Sequence, residues 1–165
     1  MFIFVRRSNL RNPNPPARVT ARVSKSFEQR WGFYRYAEST PDVLLMAVIL
    51  VVEDDIFIRQ NAEWVIEELG HGTLLASDLA SALLHLSAPH HIDVLFVDIR
   101  LNALAFGGYD VANQAIGIRP SLRVLYTSGS PLTADMTERF VIGGHFLPKP
   151  YSPEQFESSV GGLLN

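Results

Sequence analysis

From Met46 to the C-terminus, short apolar runs alternate with amphipathic stretches, and that alternation leaves few folds open. Ala47–Val52 reads AVILVV and is ended by acids, as suits a strand buried on both faces. Ile58, Ala62, Val65, Ile66 and Leu69 then fall on one helical stripe that Gly70 stops. Thr73–Ala76 is a short second strand, and Ser77 or Asp78 caps a helix with Leu79, Ala82, Leu83 and Leu86 inward. Asp93–Val97 is a third strand ending at Asp98, and Val111, Ala112, Ala115 and Ile116 mark the next helix. Arg123–Thr127 is a fourth strand, Thr133–Ile142 a weaker helix carrying Met136 and Phe140, and His145–Leu147 a very short fifth strand. The last helix has the clearest start: Ser152 at N-cap, Pro153 at N1 and Gln155 at N3 form a capping box ahead of Phe156, Val160, Leu163 and Leu164.

Five strand–helix units with short crossovers require a parallel sheet covered by helices on both faces. The expected fold is therefore α/β, a flavodoxin-like (βα)5 doubly wound sheet with strand order 2-1-3-4-5. Residues 1–45 read differently. They carry eight Lys/Arg against three Asp/Glu, net +5, and the loop-forming stretch Asn12–Pro16. They are expected to be a basic, proline-containing, poorly ordered extension to a domain over 46–165, with Met46 as a rival start of the natural chain. The domain itself has six basic and fourteen acidic residues, net −8, a poor surface for nucleic acid and a better one for a cation. No apolar run approaches the length that spans a bilayer, and the chain has no cysteine, which excludes thiol chemistry and cysteine-ligated metals.

In an open parallel sheet, ligands sit beyond the carboxyl ends of the strands where strand order reverses, here between strands 1 and 3. Strand 1 ends in Glu53-Asp54-Asp55 and strand 3 in Asp98, so three or four carboxylates face one crevice. They would repel one another and raise each other's pKa unless a hard divalent cation such as Mg²⁺ joined them. Strand 4 delivers Thr127-Ser128-Gly129 to the same edge, and strand 5 runs into Pro148-Lys149-Pro150. A lysine, a hydroxyl and a metal around a carboxylate are what phosphoryl transfer to Asp needs.

With Val-Val-Glu53-Asp54-Asp55, Phe-Val-Asp98, Ser128-Gly129 and Phe146-Leu147-Pro148-Lys149-Pro150 in order, residues 46–165 resemble the receiver domain of bacterial two-component response regulators, especially the single-domain kind. The resemblance implies Asp98 as phosphoacceptor and Asp54 as a direct Mg²⁺ ligand. It implies Glu53 acting largely through a bound water and the backbone carbonyl of Arg100 as the third protein ligand. Ser128 would hydrogen-bond the phosphoryl group, Lys149 would pair with it, and the Lys149–Pro150 bond would be cis. Phe146 would change rotamer as Ser128 moves, altering the face of the fourth helix, fifth strand and fifth helix, the family's usual dimer surface. Phosphate would come from a sensor histidine kinase or histidine phosphotransfer protein in bacterial cytoplasm, and output would be a changed contact with a downstream protein, without nucleic acid, membrane or enzymatic turnover. With Asn165 directly after the last helix, the expectation is a stand-alone receiver.

One region departs from the pattern. Many receivers have Pro a few residues after the phosphoacceptor and Gly soon afterwards, whereas here the loop reads Arg100-Leu101-Asn102-Ala103-Leu104-Ala105-Phe106-Gly107-Gly108. That puts loop geometry and partner choice in question more than the chemistry. Blander roles compete with the sharp ones: Asp55 suits an N-cap better than a ligand, Ser128 could be a turn residue, and Phe146 could be core. No pair among His71, His85, His90, His91 and His145 has helical metal-ligand spacing. Two other readings remain open. A receiver-like interaction module that is never phosphorylated would lack Mg²⁺ affinity. A Mg²⁺-dependent phosphohydrolase would usually carry a second acid two residues after Asp98, where this chain has Arg100.

Overall fold

The computed structural model describes residues 46–102 and 107–165. The basic stretch 1–45, with the order expected of it, and residues 103–106 of the loop after Asp98 lie outside the described residues. Strands β1 (Val48–Val52), β2 (Gly72–Ala76), β3 (Val94–Asp98), β4 (Arg123–Ser128) and β5 (His145–Pro148) alternate with helices α1 (Ile56–Glu68), α2 (Leu79–Ser87), α3 (Gly107–Ile118), α4 (Ala134–Glu138) and α5 (Pro153–Leu164). The sheet is parallel throughout, in the order β2-β1-β3-β4-β5. This is the doubly wound fold expected.

Strand alternation builds two cores, one on each face. Ile49, Val51, Phe96, Leu125 and Leu147 pack with Ala62, Val65 and Ile66 of α1 and Phe156, Val160 and Leu163 of α5. Leu50, Val52, Leu95, Val97, Val124 and Tyr126 point the other way, onto Ala82 and Leu86 of α2 and Val111, Ala112 and Ala115 of α3. Every residue of β3 is buried, which is why its run has no polar alternation. Each fully buried aliphatic side chain contributes up to roughly 1.5–3 kcal/mol, so these two layers supply most of the drive to fold.

The helix ends follow local chemistry. Asp55 caps α1 through Phe57 and Ile58 N–H, as its position before the apolar stripe suggests. At the other end Gly70 takes φ +85, with its N–H on Glu67 and that of His71 on Ile66, a Schellman closure that Gly accepts most readily. Asp78 rather than Ser77 caps α2, and Ser152, Pro153 and Gln155 form the capping box of α5.

The helix expected over Thr133–Ile142 is cut short, because α4 stops at Glu138 and buries no residue. Its continuation is diverted by aromatic packing. Phe140 stacks on the buried Tyr126 ring at 4.3 Å between centroids, and Val141 N–H donates to the Tyr126 hydroxyl at 3.2 Å. Burial pushes that hydroxyl up to about 12, so it stays protonated and uncharged. No helix among the described residues is long and apolar enough to cross a membrane.

Candidate phosphoryl-acceptor and cation site

Parallel strands deliver their last residues to one edge, and this sequence places its chemistry there. β1 runs directly into Glu53 and Asp54, β3 ends on Asp98, β4 on Ser128, and Lys149 follows β5. One carboxylate oxygen from each of Glu53, Asp54 and Asp98 lies within 4.8 Å of the others. Glu53 and Asp98 are buried and Asp54 is exposed, so the cluster has a closed floor and an open side. The Lys149 ammonium donates to Glu53 Oε2 and stands 3.3 Å from Asp98 Oδ1. The Lys149–Pro150 peptide bond is cis, and Lys149 N–H donates to the Ser128 carbonyl at 2.9 Å, tying the fifth strand end to the fourth.

Burial dominates the electrostatics. Desolvation raises the Asp98 carboxyl above its usual range, against the lowering influence of Lys149 and of the Arg100 backbone. Glu53 is likewise raised by desolvation, with Lys149 again opposing. Lys149 is a single charge shared between two buried acids with a third beside them, so the cluster carries excess negative charge. Hard oxygen donors at this spacing with uncompensated charge fit a divalent cation of the Mg²⁺ type.

The scaffold fixes the backbone under these acids. Asp55 N–H donates to Glu53 Oε1 at 3.3 Å, and Asn102 N–H donates to Asp54 Oδ2 at 3.1 Å. Arg59 Nη1 reaches back from the first turn of α1 to the carbonyls of Glu53 and Asp54. On the far side, Gly108 sits so close to β3 that a Cβ there would lie 2.2 Å from the Asp98 carbonyl oxygen. Only glycine lets α3 approach β3 this closely.

The remaining expected site residues are Ser128, Arg100 and Phe146. Ser128 is buried at the strand end, where its hydroxyl accepts from Ser130 N–H at 3.1 Å. Arg100 is exposed two residues past Asp98. Phe146 lies half-buried on β5, its ring 6.3 Å from that of Phe140 and apart from the carboxylates. Among the described histidines, His71 accepts from Ala47 N–H, His85 meets the Leu75 carbonyl and His91 pairs with Asp93, and none joins an acidic cluster. Asn102, Arg59 and Gly108 are residues that strand-end reasoning misses. A glycine pair opening a helix, and an asparagine in a loop without proline, were the available signals.

Beside the acids opens a groove of about 570 Å³, lined by Phe57, Ile58, Asn61, Gly129, Lys149, Pro150 and Tyr151. Fold and site together define a doubly wound α/β domain whose strand ends gather acids, a lysine and a hydroxyl.

The response regulator receiver domain profile matches residues 49–161, and the chain belongs to that family. Similar solved structures include a response regulator receiver protein from Sinorhizobium medicae WSM419, 26% identical, covering 74% of this chain and 97% of that one with a TM-score of 0.65. NtrX from Brucella abortus is 25% identical, with 73% and 27% of the two chains covered and a TM-score of 0.62. The chemotaxis response regulator CheY4 of Vibrio cholerae, 20% identical with 72% and 98% covered and a TM-score of 0.62, shares the fold. No curated protein matches the chain. Membership makes this a signalling module of two-component phosphorelays, a class that meets histidine kinases or phosphotransfer proteins.

Proposed function

We propose that residues 46–165 act as a phosphorylatable switch, with Asp98 accepting a phosphoryl group from a histidine kinase or histidine phosphotransfer protein in the bacterial cytoplasm. The observation that carries this reading is the convergence of Glu53, Asp54 and Asp98 within 4.8 Å, with Lys149 on two of them. An Asp98 carboxylate oxygen forms the new bond to phosphorus while the donor's bond to phosphorus breaks and its electron pair leaves with the donor. Asp54, Asp98, Glu53 through a water, and the Arg100 carbonyl would hold Mg²⁺. When bound, that ion neutralises charge on the transferring group and on the acids.

Lys149 is already at Asp98 and needs only to shift its contact from the carboxylate to a phosphoryl oxygen. Ser128 would turn its hydroxyl from Ser130 to the same group. The added charge of roughly −1.5 to −2 would then bias the segment that follows Ser128. Phe146 and the face of α4, β5 and α5 are the surface through which that bias would reach a downstream protein or a second copy. The shortness of α4, which buries no residue, favours this face as the one free to rearrange.

The test is intact mass after incubation with acetyl phosphate, with and without Mg²⁺, on wild type and Asp98→Ala. The expected result is one phosphate adduct that requires both Mg²⁺ and Asp98. A folded wild type that gains no adduct and binds no Mg²⁺ would leave a receiver fold used as a constitutive binding module.

A further inference from the structure

The loop after Asp98 lacks the proline common in receivers, and the backbone does something there that proline could not. Ile99 and Leu101 are buried in the core, while Arg100 between them and Asn102 after them face outward. Ile99 N–H is bound to the Thr127 carbonyl at 2.9 Å, and the Ile99 carbonyl accepts from Gly108 N–H at 3.0 Å. The chain therefore reaches Asn102 with its direction fixed. There the backbone turns to φ +51, the only non-glycine residue in the left-handed region among those described. Asparagine tolerates that region better than most residues. At this same residue Asn102 N–H donates to Asp54 Oδ2, 3.1 Å away on a strand end 48 residues earlier. Proline has φ fixed near about −65° and no N–H, so it can supply neither the turn nor the donor.

We propose that Asn102 is a positioning residue for Asp54, whose left-handed backbone amide keeps the Asp54 carboxylate turned toward Glu53 and Asp98 for a divalent cation. The inference rests on the Mg²⁺-dependent phosphoreceiver reading above. Lys149 restrains Glu53 and Asp98, but Asp54 is the exposed member of the three. Repulsion from two neighbouring acids would swing such a carboxylate outward to solvent. A hydrogen bond from a backbone N–H to an ionised carboxylate is charge-assisted and opposes that swing. It occupies one acceptor position of one oxygen, leaving the other oxygen for the cation.

The test uses the full chain, with Mg²⁺ affinity measured by calorimetry and thermal unfolding followed in EDTA. Asn102→Gly keeps the N–H and accepts the positive φ, and its Mg²⁺ affinity is expected within about two-fold of wild type. Asn102→Pro loses both, and its affinity is expected to fall about ten-fold, the lower end of what loss of an outer partner of a metal ligand costs. Should the proline variant fail to fold, Asn102→Val replaces it, since a β-branched residue resists positive φ, and it too is expected to bind Mg²⁺ more weakly than the glycine variant. A merely structural loop residue would lower the melting temperature in EDTA without changing the affinity of the folded protein. Equal Mg²⁺ affinity in the glycine variant and in a folded proline or valine variant would overturn the role of Asn102 alone. A wild type that binds no Mg²⁺ would overturn the phosphoreceiver reading and this inference together.

Discussion

Replacing Asp98 with Asn should stabilise the metal-free protein, and the geometry sets the size of the effect. Asp98 is buried, with the Lys149 ammonium at 3.3 Å and an oxygen of each of Glu53 and Asp54 within 4.8 Å. At an effective dielectric constant of about 20, the lysine attracts by roughly 5 kcal/mol and each carboxylate repels by roughly 3.5 kcal/mol. These opposing terms are of similar size, and burial, the largest influence on Asp98, tips the balance against its charged form. Asparagine keeps the shape and an oxygen that Lys149 can donate to, while removing the charge. The expected gain is roughly 1–3 kcal/mol, a rise of about 3–9 °C in melting temperature for a chain of this size. The pH dependence has a definite sign. The folded Asp98 carboxyl is raised above its unfolded value, so the folded state binds protons more tightly. Wild type accordingly loses stability as pH rises from the ordinary carboxylate range, about 4, through the raised folded value, and Asp98→Asn escapes that part of the loss. Thermal unfolding in EDTA across that range should show the gap between variant and wild type opening with pH, and Mg²⁺ should narrow it by stabilising wild type. An Asp98→Asn protein less stable than wild type at neutral pH in EDTA, or a gap that stays constant on acidification, would refute the reasoning.

Two further substitutions probe the scaffold. Gly108→Ala places a methyl 2.2 Å from the Asp98 carbonyl oxygen and 2.8 Å from Ile99 Cα, both backbone, so β3 and α3 must separate; a loss of about 3 kcal/mol is expected in urea unfolding, and a loss under 1 kcal/mol would show that the helix moves freely. Tyr126→Phe keeps the stack on Phe140 but leaves Val141 N–H without its acceptor; it should cost about 1–2 kcal/mol and speed exchange of the Val141 amide, and unchanged exchange would mean that the hydroxyl does not hold this turn.

What could be read from the sequence divides by the range of the interactions involved. The strands were legible because a doubly covered sheet needs continuous apolar runs, and β3, with every residue buried, is the plainest case. The acids were legible for a related reason: once five parallel strands are in order, topology alone carries Glu53, Asp54, Asp98 and Lys149 to one edge. The length of α4 was not legible, since Phe140 fits a helical stripe equally well until Tyr126, fourteen residues earlier, offers it a ring to stack on. The same holds for the loop after Asp98. Its missing proline reads as a defect in the family pattern, yet a proline would have removed the N–H that Asn102 gives to Asp54 and forbidden the left-handed turn made at the same residue. A departure from pattern thus becomes interpretable only when the partner across the sheet is known. Here that partner is one of the acids the pattern preserves, so the loop and the acid cluster are best read as one device: the strand ends supply the charge, and the irregular backbone beside them orients it.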